Sequence, residues 1–287
     1  MAKKTKKPNK KIVTLPSFYS LCAKTWQELV VFWRSLGGVV AVYAVLYFIL
    51  VLGFNLVYSY QDIADAIYNQ LGGDPGWFYR SSLTVISLFT FNSQSDASAI
   101  MQFVLFLIAT LAFIWTLRQL RTLKKIRMRD AYFDGTARIV PAIFVAILLF
   151  VPLLPMAIGS AVLSVVKTSG ALEPILMGLA VAGLFFVSFY WLVAWLPSIY
   201  VVSLPKGTPI AAIKSAAKLT KGSRFWMMRN IFIFAVLTIA IVFGVMLLFV
   251  SIVPQTSVVA AYITSFIVFG IVQTFLFTMY RGLLDES

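Results

Sequence analysis

Six runs of this sequence, each of 18 residues or more, contain no Asp, Glu, Lys or Arg. A helix of about 20 apolar residues crosses a hydrocarbon core of roughly 30 Å, and a helix satisfies its own backbone hydrogen bonds there. A lipid-facing β-barrel would instead show segments of about 10 residues with alternating polarity, and that pattern is absent. The sequence therefore predicts an all-α, polytopic membrane protein with six transmembrane helices. The predicted spans are residues 39–58, 100–117, 139–166, 175–196, 231–253 and 258–280.

The basic residues fall in alternate gaps between these runs. Of the 24 Lys and Arg residues, all but Arg80 and Lys167 lie before span one, between spans two and three, between spans four and five, or after span six. Because basic residues mark cytoplasmic loops, we predict a multi-pass protein of the cytoplasmic (inner) membrane with both termini in the cytoplasm. The net charge of +14 is explained by this topology, so no nucleic-acid partner is expected.

The third run is longer than one straight span requires, and it contains Pro152 and Pro155. Each proline removes a helix hydrogen bond. We interpret this run as one kinked or strongly tilted helix, with two half-helices as the alternative.

Outside the runs, residues 1–16 form a Lys-rich tail that is typical of disorder, and residues 17–287 form a single six-helix membrane domain. Apolar side chains recur with helical periodicity over residues 17–36, which predicts an amphipathic helix in the inner membrane interface. The alternative is a cytoplasmic extension of span one that packs on the bundle. Residues 77–91 are apolar but too short to span, which predicts an interfacial or re-entrant segment.

A second amphipathic helix is predicted before span five. Thr208 and Pro209 form a helix start, with Thr as the N-cap and Pro at the first helical position. Three lysines then follow at spacings of four and three and share one helical face. These are Lys214, Lys218 and Lys221.

Another basic face continues span two toward the cytoplasm. It contains Arg118, Arg121, Lys125 and Arg129. Both basic faces are candidate contacts for anionic lipid headgroups, since each basic residue near a membrane surface contributes about 1 kcal/mol. The alternative is that they only set the topology.

Residues suited to catalysis are scarce. The chain has no His and one cysteine, Cys22, and it contains neither a phosphate-binding P-loop nor a nucleophile-elbow motif. Asp130 and Asp134 lie beside many basic residues and are interpreted as local charge balance. We therefore expect no enzyme activity, no cofactor and no metal site.

Polar side chains within or beside the runs include Asn55, Gln102 and Gln273. Interhelical hydrogen bonds are one interpretation, each worth roughly 0.6 kcal/mol. A polar cavity that joins the three side chains is the other, and it would indicate transport.

Residues 195–229 resemble a known family. Trp195-Leu196-Pro197 ends a span, a loop contains Gly207, and a helix with Ala212, Ser215 and Leu219 leads to Lys221-Gly222. This pattern resembles the segment before span five in YciC-like bacterial inner-membrane proteins and in the membrane domain of some glycerophosphodiester phosphodiesterases. The resemblance implies six spans with amphipathic helices before spans one and five, and it implies no catalysis.

Two functions are therefore expected from the sequence. The first is a non-enzymatic protein of the bacterial cytoplasmic membrane that acts in envelope or lipid organisation, or as a scaffold for a membrane-protein partner. The second is a small transporter or channel for a lipid-like or small polar substrate.

The orientation can be tested by cysteine labelling. On a Cys22→Ser background, a cysteine at Thr122 is expected to resist an impermeant reagent added from outside, because this loop carries basic residues. It should react after the membrane is opened. Labelling from outside in intact cells would reverse the predicted topology.

Overall fold

The computed structural model describes residues 15–52, 96–122, 127–165, 172–204, 207–252 and 257–285. These residues form helices and connecting turns without a strand. Six helical stretches are long and apolar enough to cross a membrane, so the predicted all-α, six-span fold is confirmed. The predictions for Asn55, Lys125, the tail up to residue 14 and residues 77–91 lie outside the described residues.

Ten α-helices are defined in the described part of the chain. They are α1 (Phe18–Tyr47), α2 (Asp96–Arg121), α3 (Met128–Gly135), α4 (Ile139–Leu148), α5 (Leu154–Val165), α6 (Leu172–Trp195), α7 (Ser198–Val202), α8 (Pro209–Leu219), α9 (Arg224–Ile252) and α10 (Ser257–Leu284). A π-helical turn, Phe48–Leu52, extends α1.

Helices α2 and α10 lie at the centre of the bundle. In each, 61% of the most apolar window is buried, against 11% to 22% in the other four spans. Helix α1 contacts both of them, α3 and α4 contact α2, and α9 contacts α10. Helix α6 lies between α5 and α9. The outer spans thus turn most of their apolar surface outward, as expected where lipid is the solvent.

Aromatic side chains fill the region between α1, α2 and α10. Phe269 of α10 lies 6.0 Å from Phe113 of α2 and 5.0 Å from Tyr43 of α1, measured between ring centroids. Tyr43 also meets Phe266 edge to face at 5.4 Å. Such pairs contribute about 0.5–1.5 kcal/mol beyond the area they bury, so this cluster holds the three helices together.

The third span is interrupted at its prolines. Helix α4 ends at Leu148, a 3-10 turn covers Val151–Leu153, and α5 begins at Leu154. The path therefore consists of two helices joined by a short turn, because Pro152 has no N–H to continue the hydrogen-bond ladder. This path agrees with the alternative of two half-helices better than with one kinked or strongly tilted helix.

Ser188 of α6 stabilises the interrupted region. The backbone N–H of Met156 donates to Ser188 Oγ at 3.0 Å, and Ser188 is fully buried. An amide in the first turn of a helix has no partner within that helix, and inside hydrocarbon it must find one elsewhere in the protein. This hydroxyl supplies that partner from the neighbouring span.

The segment before span one joins that span through a kink. Helix α1 begins at Phe18 after Ser17, whose hydroxyl accepts from the N–H of Ser20, and its backbone departs from helical geometry at Phe32. Leu21 is buried, and Phe18 lies 6.2 Å from Phe275 of α10. One face of the segment therefore packs on the bundle. Its depth in the interface remains a prediction.

Helices α2 and α3 approach closely at Gly135. A Cβ placed there would lie 2.9 Å from Ala112 Cα of α2, which is closer than van der Waals contact. The Ala112 Cα is part of the backbone and the added Cβ is bonded to the backbone of Gly135, so neither atom can rotate away. The two helices would therefore have to separate.

We predict that Gly135→Ala lowers the thermal stability of the purified protein, since overpacking costs typically about 1–3 kcal/mol. The matched control is Gly37→Ala, where an added Cβ meets nothing within 4 Å. The control should be neutral or stabilising, because Ala is favoured over Gly in helices by up to about 1 kcal/mol. Unfolding followed by tryptophan fluorescence measures both, and equal midpoints would contradict the close approach.

Candidate functional site

Charged side chains gather on the predicted cytoplasmic side, where the first part of α1 lies beside α7 and the last turns of α2 and α10. Arg118, in the last turn of α2, donates a hydrogen bond from its guanidinium to the backbone carbonyl of Tyr200. The Tyr200 ring is buried and stacks on Tyr280 of α10, with centroids 5.1 Å apart. This bond connects the end of span two to the short helix α7 that follows span four.

Arg121 and Glu28 form an ion pair between α2 and α1. The Arg121 guanidinium also lies over the Phe277 ring, 5.4 Å from its centroid. The other carboxylate oxygen of Glu28, Oε2, is buried and has no hydrogen-bond partner within the described ranges. The pair therefore ties the first segment of α1 to the centre of the bundle.

Arg118 and Arg121 thus have protein partners. The sequence predicted both as contacts for anionic lipid together with Lys125, which lies outside the described residues. Their binding of lipid remains a prediction, but their hydrogen-bonding capacity is already partly used inside the protein.

Helix α8 places Lys214 and Lys218 on an outward surface, and Lys221 lies in the turn after the helix ends at Leu219. Thr208 is the N-cap, its hydroxyl accepts from the N–H of Ala211 at 3.4 Å, and Pro209 occupies the first turn, as the sequence predicted. Ala212 and Ala216 are fully buried on the side that contacts α4, α6 and α7. Four-residue spacing places both alanines on one face of the helix.

The lysine face consists of Lys214, Lys218 and Lys221. All three side chains are exposed, and none has an ion-pair partner in the part of the chain that the structure describes. At the end of the helix, the hydroxyl of Thr220 donates to the carbonyl of Ala194 at 3.3 Å. Gly222 then adopts a φ of 98°, a conformation that glycine accepts readily, and the chain turns into α9.

Among the described residues, Gln102 and Gln273 do not lie together. Gln273 is buried, and its side-chain N–H donates to Thr110 Oγ1 of α2 at 3.1 Å. Gln102 precedes Thr110 by eight residues, or about 12 Å along the helix, and Asn55 lies outside the described residues. For Gln273 the geometry is that of an interhelical hydrogen bond.

Within the described ranges, no group of three or more His, Cys, Asp or Glu residues could hold a metal ion. Cys22 is a half-buried free thiol that packs on the bundle near Leu21. Asp130 and Asp134 both lie on α3.

Two features of this region escaped sequence reasoning. The Glu28–Arg121 pair joins residues 93 positions apart, and no local pattern signals it. The second is a groove between α1 and α3. It was missed because the sequence did not predict a separate helix at residues 128–135.

No family model matches this sequence, and neither the curated proteins nor the solved structures include a match. The resemblance to YciC-like proteins therefore remains a prediction.

A double-mutant cycle tests the ion pair. We predict that Glu28→Gln and Arg121→Gln each destabilise the protein by roughly 1–3 kcal/mol, below the 3–5 kcal/mol of a fully buried pair, because both side chains retain some exposure. The double variant should lose less than the sum of the two. Thermal unfolding in one detergent measures all four proteins, and additive losses would show that the pair contributes no coupling.

Proposed function

We propose that this chain is a non-enzymatic protein of the bacterial cytoplasmic membrane that binds anionic lipid headgroups at its cytoplasmic surface. In this role it would act in envelope or lipid organisation, or as a scaffold for a membrane-protein partner. The proposal combines the six-span fold with the charged surface of α8.

The lysine face of α8 is the observation that carries the proposal. Its three ammonium groups are exposed, while Ala212 and Ala216 fix the opposite side of the helix to the bundle. A short helix held in this way presents its charges along one surface beside the membrane. Each basic residue near an anionic membrane surface adds about 1 kcal/mol of attraction.

The transport alternative receives less support from the bundle interior. A polar pathway would require Gln102 and Gln273 to face a shared cavity, whereas Gln273 is occupied with Thr110. The centre of the bundle holds packed aromatic rings such as Phe113 and Phe269. These contacts favour a lipid-binding or scaffolding role over a conduit.

Replacing Lys214, Lys218 and Lys221 together by Gln is expected to reduce the retention of phosphatidylglycerol and cardiolipin through gentle purification. The attraction is Coulombic, so retention by the parent should also fall with added salt, since the Debye length is about 8 Å at physiological ionic strength. Quantitative lipid mass spectrometry of the purified proteins measures both effects.

Two control variants separate charge placement from total charge. Replacing Lys3, Lys4 and Lys6 by Gln removes the same charge from the tail, and replacing the three α8 lysines by Arg keeps it. Both controls should retain anionic lipid as the parent does. If the α8 Gln variant also matches the parent at low salt, this face is only a topology signal and the proposed function fails.

A further inference from the structure

An apolar groove of about 450 Å³ lies between α1 and α3. Val42 and Leu46 of α1 line one side, and Met128 and Phe133 of α3 line the other. Its volume falls within the roughly 300–1,000 Å³ that is typical of ligand pockets.

Two contacts fix the geometry of the groove. The Tyr132 hydroxyl of α3 donates to the backbone carbonyl of Val39 at 2.7 Å, which fastens α3 to the start of span one. Gly38 leaves room for Met128, because a Cβ at Gly38 would collide with the Met128 side chain. One end of the groove, the end lined by Met128, therefore lies beside Gly38. Leu46 lies about 12 Å further along α1.

Arg129 supplies a positive charge at the Met128 end. It lines the groove, its side chain is exposed, and it has no acidic partner among the residues that the structure describes. Asp130 and Asp134, also on α3, project about 100° and about 140° away from Arg129 around the helix axis.

The groove therefore has a cationic end and an apolar body. Under the predicted topology, Arg129 lies on the cytoplasmic side, and Val42 and Leu46 lie progressively deeper in span one. Phe133 is 78% exposed and Met128 is 45% exposed, so the walls offer apolar surface to an occupant. A ligand that matches this order has an anionic head and a hydrocarbon tail.

The geometry points to a binding site for one anionic phospholipid, with its phosphate at Arg129 and one acyl chain between α1 and α3. This inference rests on the proposed function, because it assumes the same lipid class on the same side of the membrane. It deepens that function by adding a site with a defined shape, separate from the lysine face of α8.

Two substitutions test the head and the tail of the site separately. Arg129→Gln should lower the retention of phosphatidylglycerol relative to phosphatidylcholine by roughly fivefold, equivalent to the about 1 kcal/mol of one basic residue near the surface. Val42→Phe should lower the retention of both lipids, because it fills the groove. Native mass spectrometry after incubation with a defined mixture of the two lipids measures the bound ratio.

The matched controls are Arg127→Gln and Val45→Phe. Arg127 is an exposed basic neighbour on the same segment, and Val45 is 56% exposed on the same helix; neither lines the groove. Both controls should bind the two lipids as the parent does. If Arg129→Gln matches Arg127→Gln, and Val42→Phe matches Val45→Phe, the groove is not a lipid site.

A photoreactive phosphatidylglycerol with a diazirine in its acyl chain tests the parent protein directly, independently of how the variants fold. Cross-links should map to peptides that contain residues 42–46 or 128–136. Their absence, or cross-linking by phosphatidylcholine alone, would overturn the inference. If the α8 Gln variant loses lipid while Arg129→Gln and Val42→Phe retain it, only the groove is rejected. If the two groove variants lose lipid while the α8 Gln variant retains it, only the lysine face is rejected. Normal retention by all of them would reject both.

Discussion

The hydrocarbon core excludes charged groups, and this constraint decides where each kind of contact in the bundle can form. Between the middles of α1, α2 and α10 the contacts are aromatic, as for Phe113 and Phe269, or join small polar groups, as for Thr110 and Gln273. The charged contacts, Arg118 to Tyr200 and Arg121 to Glu28, lie at one end. Dispersion forces thus join the central helices, and stronger polar bonds fix their ends where charge is tolerated.

The six spans were predictable from sequence because hydrocarbon imposes length and lack of charge on each of them. The helix boundaries were not, since charge does not stop a helix and only limits its depth in lipid. Helix α3 begins at Met128 within a gap rich in arginine, and α1 begins at Phe18 and reaches span one through a kink at Phe32. Pro152 was identifiable as a point of interruption, but the partner of Met156 was not, because Ser188 comes from another span.

The candidate site shows the same division between local and distant information. The start of α8 at Thr208 followed from residues within one short segment, and the helix begins there. The sequence also predicted that Lys214, Lys218 and Lys221 share one helical face, but α8 ends at Leu219, so Lys221 lies in the turn that follows. The partners of Arg118 and Arg121 lie 82 and 93 residues away, so sequence spacing could place both arginines near lipid but could not reveal what they contact. Likewise, Gln102 and Gln273 are identical side chains in apolar runs of the sequence. Only the fold shows that Gln273 bonds to Thr110, whereas Gln102 lies about 12 Å from Thr110 along α2.

Helices α3 and α8 show how small residues shape the cytoplasmic surface. Ala131 and Gly135 are the buried residues of α3, and Ala212 and Ala216 are those of α8. Small contact residues let a short helix lie close to its neighbours, so its longer side chains extend outward. On α8 those side chains are lysines, whose attraction to a membrane depends on charge and is screened by salt. On α3 they include Phe133 and Arg129 beside a groove, where apolar walls add a contribution that is proportional to buried area and does not depend on charge. In the proposed roles the two surfaces therefore differ physically: the first would respond to the charge density of the membrane, and the second to the shape of a single lipid.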